Sequence, residues 1–263
     1  MKRRAFLRTA GGLTGGAAAA AWSPLPVTAI EPADETRRFA RRVLYVGPHD
    51  ELASRLEEAL PPGVEFSQAA LKSINPDSAP GAVAGTEAIV VASASASDSL
   101  PADIERATRP VYDLLRSAAD EGVRRVVYLS TLAVMRFYFT QPGPRYVVDE
   151  NWAPRPCGAA SGLPAYLGEV VCREFARARK LEVAVLRLGQ LKGHSPDPDG
   201  WTLPHAKAED VARSIVAAFR ATLPHWSLFH IHSADAPSLP SNPALAAVKH
   251  GQPADHAAHP RHA

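Results

Sequence analysis

Short, almost wholly apolar runs alternate along this chain with longer stretches whose apolar residues recur every three or four positions. The first run, Arg42-Val43-Leu44-Tyr45-Val46, stops at Gly47. From Asp50 to Leu60, Leu52, Leu56 and Leu60 fall on one face, and Pro61-Pro62-Gly63 closes the segment, so a helix is predicted there. Ala88-Ile89-Val90-Val91-Ala92 is a buried-strand run. Pro101 opens a helix that carries Leu114, Leu115 and Ala118 and ends at Gly122. Arg125 to Ser130 is a further strand, residues 163–180 a helix, 183–188 a strand, 208–219 a helix and 228–231 a last strand. Between Leu60 and Ala88 there is room for only one strand, around Val64-Glu65-Phe66. Continuous apolar strands alternating with amphipathic helices predict an α/β fold, a Rossmann-type doubly wound parallel sheet with helices on both faces and ligands at the carboxyl ends of the strands.

The ends of the chain read differently. Lys2-Arg3-Arg4-Ala5-Phe6-Leu7-Arg8 precedes a weakly hydrophobic Gly/Ala stretch to Ala21, the layout of a secretory signal. Arg3-Arg4 followed by Phe6-Leu7 resembles a bacterial twin-arginine signal, with Lys2 where Ser or Thr is usual. This predicts residues 1–29 as a leader, cleaved after Ala21 or Ala29, and a periplasmic or secreted protein. Residues 30–232 form the globular domain, and 233–263 a His/Ala/Pro-rich tail whose composition suits disorder.

Charge and composition narrow the function. Four of the 29 basic residues (Lys2, Arg3, Arg4, Arg8) lie in the leader, leaving 25 against 27 acids, so nothing favours nucleic acid. No apolar run reaches the length of a membrane span. Two cysteines, Cys157 and Cys172, make no scaffold; they form one disulfide after export, or Cys172 is a buried free thiol. Nine of the 10 histidines lie from His194 onward, with His230 and His232 on one strand face and His225 nearby. Imidazoles suit transition metals, yet this spacing matches no fixed metal motif, and no metal ligand is assigned.

Five segments in order carry a family resemblance. Residues 85–93 (Gly-Thr-Glu-Ala-Ile-Val-Val-Ala-Ser) resemble the fourth strand of extended short-chain dehydrogenases/reductases, the NAD-dependent epimerase/dehydratase family. Residues 114–131 are similar to its next helix and strand, ending at the family's catalytic hydroxyl. Tyr166, eight residues before Glu174, resembles the active-site helix; residues 186–193 and 208–212 resemble the strand, turn and helix start beyond it. The resemblance spans residues 41–232. It implies NAD or NADP as cofactor and catalytic roles for Tyr166, Thr131 and Ser130. It puts Gly47, Ala92 and Arg187 on the cofactor side, with a small-molecule ligand and a homodimer through the active-site helices.

The same positions depart from the family in three ways. Its Gly-x-x-Gly-x-x-Gly loop is Gly47, Asp50 and Ala53 here. The turn glycine remains, but Asp50 puts a helix-capping carboxylate where a phosphate would sit. Between Leu60 and Ala88 either one β-α unit, with the residue that reads the adenosine ribose, is missing, or the region is irregular. The family's Tyr-x-x-x-Lys is Tyr166-Leu167-Gly168-Glu169-Val170, so the lysine that holds the nicotinamide ribose and activates the phenol is replaced by Val170. The family's helix asparagine falls near Ala107. Arg187 is expected to position an anionic ligand or to pair with an acid such as Glu174.

Three functional readings follow, the first two being a worn NAD(P)-dependent epimerase or reductase and a non-enzymatic periplasmic binding or interaction protein on the same scaffold. A His-rich metal-handling protein is a third. Residues 136–151 are an aromatic addition between Thr131 and Tyr166, read as a lid or as a loop packed on the body.

Overall fold

The computed structural model describes residues 39–92, 99–140, 148–156, 162–191 and 204–233. The predicted leader, nearly all of the His-rich tail and Cys157 lie outside these residues.

A six-stranded, wholly parallel sheet forms the centre. Its strands are β1 (Arg42–Val46), β2 (Glu65–Ala69), β3 (Ala88–Ala92), β4 (Arg125–Thr131), β5 (Glu182–Leu188) and β8 (Trp226–Ile231), in the order β2-β1-β3-β4-β5-β8. The two-residue strands β6 (Gln190–Leu191) and β7 (His205–Ala206) pair separately. Chain order reverses at β1, between β2 and β3, which makes the carboxyl end of β1 the switch-point crevice. The doubly wound dinucleotide order has one more strand beyond β2. Among the described residues that place holds only a 3₁₀ turn, Leu71–Ser73, and the five-residue α2 (Ala79–Val83), so the sheet is one β-α unit short.

The helices divide between the two faces by strand alternation. α1 (Glu51–Ala59) and α6 (Ala208–Arg220) bury Leu52, Leu56, Val211 and Ile215 against Val43, Tyr45, Val90, Val127 and Leu186. α3 (Leu100–Asp120) and α5 (Gly162–Arg177) bury Val111, Leu114, Leu115, Cys172 and Ala176 against Leu44, Ile89, Val126, Tyr128 and Val185. Each fully buried Leu or Ile contributes about 1.5–3 kcal/mol.

Local rules set the helix ends. Asp50 caps α1 as expected, its Oδ1 accepting the Ala53 amide at 3.1 Å. α3 ends where Gly122 turns to φ +75°, and the Val123 amide returns to Ala118 O at 2.9 Å. Arg125, at the start of β4, is 1% exposed; it pairs with Glu182 and donates to the Ala218 and Ala221 carbonyls at the end of α6.

Mid-helix Gly168 answers a packing need. A Cβ there would lie 3.0 Å from Ala107 O on α3 and against the buried Tyr128 hydroxyl. Ala107, where the family's asparagine would fall, serves this close crossing of α3 and α5.

Beyond β4 the chain makes a 3₁₀ turn, Leu132–Met135, and the short α4 (Arg136–Thr140). The described parts of the aromatic addition pack on the body. Trp152 lies edge-on to Tyr138 with centroids 4.9 Å apart, and the Arg155 guanidinium stacks over Phe137 and Tyr138 at 5.0 and 5.4 Å. Val148 is fully buried with Val134, Met135 and Ala165. No described helix is long and apolar enough to cross a membrane.

Candidate functional site

Two places at the carboxyl end of the sheet hold the expected site residues: the crevice above β1, and a polar row under α5.

The row comes from strand register. Ser130 on β4 is in register with Arg187 on β5, and Arg187 with His230 on β8. All three share the parity of the residues packed under α3 and α5, and none is more than 3% exposed. Glu169, from α5, closes the row. Arg187 donates through Nε and Nη2 to the two Glu169 oxygens at 2.9 and 2.8 Å, and Ser130 Oγ donates to Glu169 Oε1 at 2.7 Å. Arg187 Nη1 lies 3.3 Å from Met135 Sδ. A bidentate guanidinium–carboxylate pair is the strongest ionic arrangement a protein interior offers, and here it is sealed from water.

Next to Arg187, the His230 amide donates to Glu150 Oε1 at 2.9 Å. Among the described residues, neither His230 ring nitrogen has a hydrogen-bond partner. Burial, with Arg187 and His232 adding to it, lowers the His230 pKa to about 3, so the ring is neutral. Burial raises the Glu150 pKa against the opposing pull of its backbone bonds.

The hydroxyls read as catalytic are thus committed locally. Ser130 serves Glu169, and Thr131 Oγ1 accepts the Ala133 amide at 3.1 Å, capping the turn after β4. Tyr166 is half-buried against the cluster of Val134, Met135, Val148 and Ala165, beside Tyr138 and Trp152. Val170, one turn on, is half-buried and supplies no cation. Arg187 pairs with Glu169, whereas Glu174, the acid named as an example from sequence, lies at the surface with Arg177.

At the crevice, Gly47 is the residue at the tip of β1. A Cβ on it would stand 2.7 Å from Ala92 Cβ and 2.9 Å from Tyr45 Cε1. The chain's own atoms therefore require the one retained glycine of the motif. The Gly47 amide donates to Ala69 O at 2.9 Å, Pro48 has no N–H, and the Ala53 amide is taken by Asp50.

The remaining expectations fall elsewhere. His225 Nδ1 lies 3.4 Å from Leu181 O and His232 Nδ1 3.1 Å from Ser233 O. No group of three His, Cys, Asp or Glu residues suited to a metal occurs among the described residues. Cys172 is a fully buried thiol, its pKa raised by burial and by Glu169. A cavity of about 290 Å³ beside α3, lined by Lys72, Ile74, Arg106, Arg109 and Asp113, includes none of the predicted site residues.

Sequence reasoning passed over Glu169, Glu150 and Tyr45 as site residues. Glu169 had a signal: it falls on the helix face of Ala165, Cys172 and Ala176, where a lone charge needs a partner. Arg187, alone in an apolar strand, is its complement.

The fold is of the Rossmann type, with buried polar residues gathered at the strand ends. Solved structures of similar fold include epimerases, uronate dehydrogenases and a short-chain dehydrogenase/reductase superfamily protein, several of them with bound NAD. Uronate dehydrogenase from Agrobacterium tumefaciens is 19% identical, with 82% of this chain and 85% of that chain covered and a TM-score of 0.62. UDP-glucose 4-epimerase of Thermus thermophilus, solved with NAD, is 18% identical over 79% and 82%, TM-score 0.61. MoeE5, solved with UDP-glucuronic acid and NAD, is 18% identical over 81% and 84%, TM-score 0.60. At such identities the likeness establishes the fold alone. No family model and no curated protein matches the chain.

Proposed function

We propose that this chain is an exported Rossmann-fold protein of the epimerase/dehydrogenase kind. In this reading it has given up hydride transfer, its dinucleotide site is weakened or lost, and it acts as a small-molecule binding or interaction protein.

One observation carries the reading: Glu169 holds Ser130 and Arg187 together inside the core, one residue before the position where the family's lysine would stand. General-base chemistry by a phenol at neutral pH requires a neighbouring cation to lower its pKa. Val170 provides none, and the Arg187 charge is neutralised by Glu169. The two strand-end hydroxyls hold a buried carboxylate and a backbone turn, which is structural work.

The test is turnover. Purified full-length protein is incubated with NAD or NADP and, separately, UDP-glucose, UDP-glucuronic acid and free uronates, the compounds named with the neighbours. The expected result is no protein-dependent change in cofactor redox state and no epimerised product. A signal that scales with protein concentration and disappears in Tyr166→Phe would overturn the reading.

A further inference from the structure

We propose that the switch-point crevice is occupied by the chain itself: the Asp50 carboxylate stands at the N-terminus of α1 in place of a ligand phosphate, the Tyr45 ring fills the space beside Gly47, and phosphate esters, dinucleotides included, are rejected. The inference takes the location of the crevice from the functional reading above, and it does not depend on the loss of hydride chemistry.

The electrostatics come first. A helix N-terminus presents free amides and about half a positive charge, which makes it a natural phosphate seat. Part of that capacity is already used in α1. Asp50 accepts the Ala53 amide at 3.1 Å, and Glu51 adds a second carboxylate in the first turn. An incoming diphosphate would meet the Asp50 carboxylate where a cradle of donors is needed, while Glu51 stands 3.9 Å from Arg55 Nε. Repulsion between like charges in contact is several-fold stronger at the effective dielectric of a protein surface than in water.

The donor count points the same way. The Gly47 amide is spent on Ala69 O, holding β1 to the end of β2, and Pro48 contributes none. Sterics complete the argument. In the dinucleotide loop the first glycine makes the tight turn and the second lets the backbone approach the pyrophosphate, and Asp50 stands at that second position. Here the space a residue-47 side chain would take is filled by the Tyr45 ring and Ala92 Cβ. Tyr45 is fully buried, its ring tilted against Phe66 at 6.4 Å between centroids. Among the described residues its hydroxyl makes no hydrogen bond, and burial together with the nearby Asp50 charge keeps it protonated.

The experiment titrates NADH into the full chain by calorimetry and by nicotinamide fluorescence. Wild type, Asp50→Asn, Tyr45→Val and the double variant are compared. Asparagine caps a helix about as well as aspartate, so Asp50→Asn removes the charge and keeps the cap. Wild type should show no saturable binding up to about 1 mM, a free energy of about −4 kcal/mol. The double variant should saturate at least about tenfold below that, the effect of about 1.4 kcal/mol of repulsion removed. If the double variant loses its cooperative melt, Asp50→Asn alone must show the gain. Micromolar binding by wild type overturns the proposal and leaves the loss of hydride transfer standing. Silence of the folded variants overturns it as well, because the crevice would then be closed by something other than these two residues.

Discussion

Arg187 and Glu169 meet through two parallel hydrogen bonds, 2.9 and 2.8 Å long, between a strand and a helix, with at most 4% of either side chain exposed. Removing one partner of such a pair leaves the other buried and unpaired, which costs about 3–5 kcal/mol. Glu169→Ala should therefore lower the unfolding free energy measured by urea titration by that amount. Glu169→Leu combined with Arg187→Met should recover most of the loss, because an apolar pair of similar volume avoids the desolvation penalty. A single variant within about 0.5 kcal/mol of wild type, the usual range for surface changes, would show that water reaches the pair.

Gly47→Ala should destabilise the apo protein, since its new methyl would meet Ala92 Cβ and the Tyr45 ring. Overpacking of this kind costs about 1–3 kcal/mol. Ala92→Gly in the same chain should restore part of the loss, so a thermal double-mutant cycle should give a coupling above about 0.5 kcal/mol. Strict additivity would mean that the glycine is held for some other reason than contact with Ala92.

His230 should impose an acid limit on stability. Its folded pKa is about 3, below the ordinary value of 6.5. Between those pH values the unfolded chain binds a proton that the folded chain excludes. The His230 contribution is thus intact above about pH 6.5 and declines as pH falls toward 3, by up to about 1.4 kcal/mol per pH unit. Denaturant titrations from pH 7 to 4 should show this slope, reduced in His230→Leu. Glu150, whose pKa is raised, works in the opposite direction, and Glu150→Gln should make the acid decline steeper. Parallel curves for wild type and His230→Leu would show that the ring is protonated in the fold.

Fusing residues 1–29 to a folded reporter should direct it out of the bacterial cytoplasm. Changing Arg3-Arg4 to Lys-Lys should trap it inside, measured by fractionation. Continued export of the Lys-Lys fusion would remove the twin-arginine assignment.

What the sequence alone determined here is whatever depends on neighbours along the chain. The alternation of apolar runs with helical periodicity specified the parallel α/β sheet, because strands covered on both faces must be apolar throughout. Asp50 was legible as a cap because a cap acts within one turn. The missing β-α unit was legible because 27 residues between Leu60 and Ala88 cannot hold two strands and a helix. The site was only half legible. Ser130, Thr131 and Tyr166 could be placed at strand ends and on a helix, but what each touches depends on how α5 settles across β4 and β5. The choice of Glu169 over Glu174 for Arg187 is a matter of which helix face turns inward, and the close crossing at Gly168 and Ala107 decides it. The filling of the Gly47 turn by Tyr45 is likewise invisible to a motif, which counts glycines and leaves unstated what occupies the space they open. Spacing along a chain selects a face; only packed elements decide which group on the facing element completes the contact.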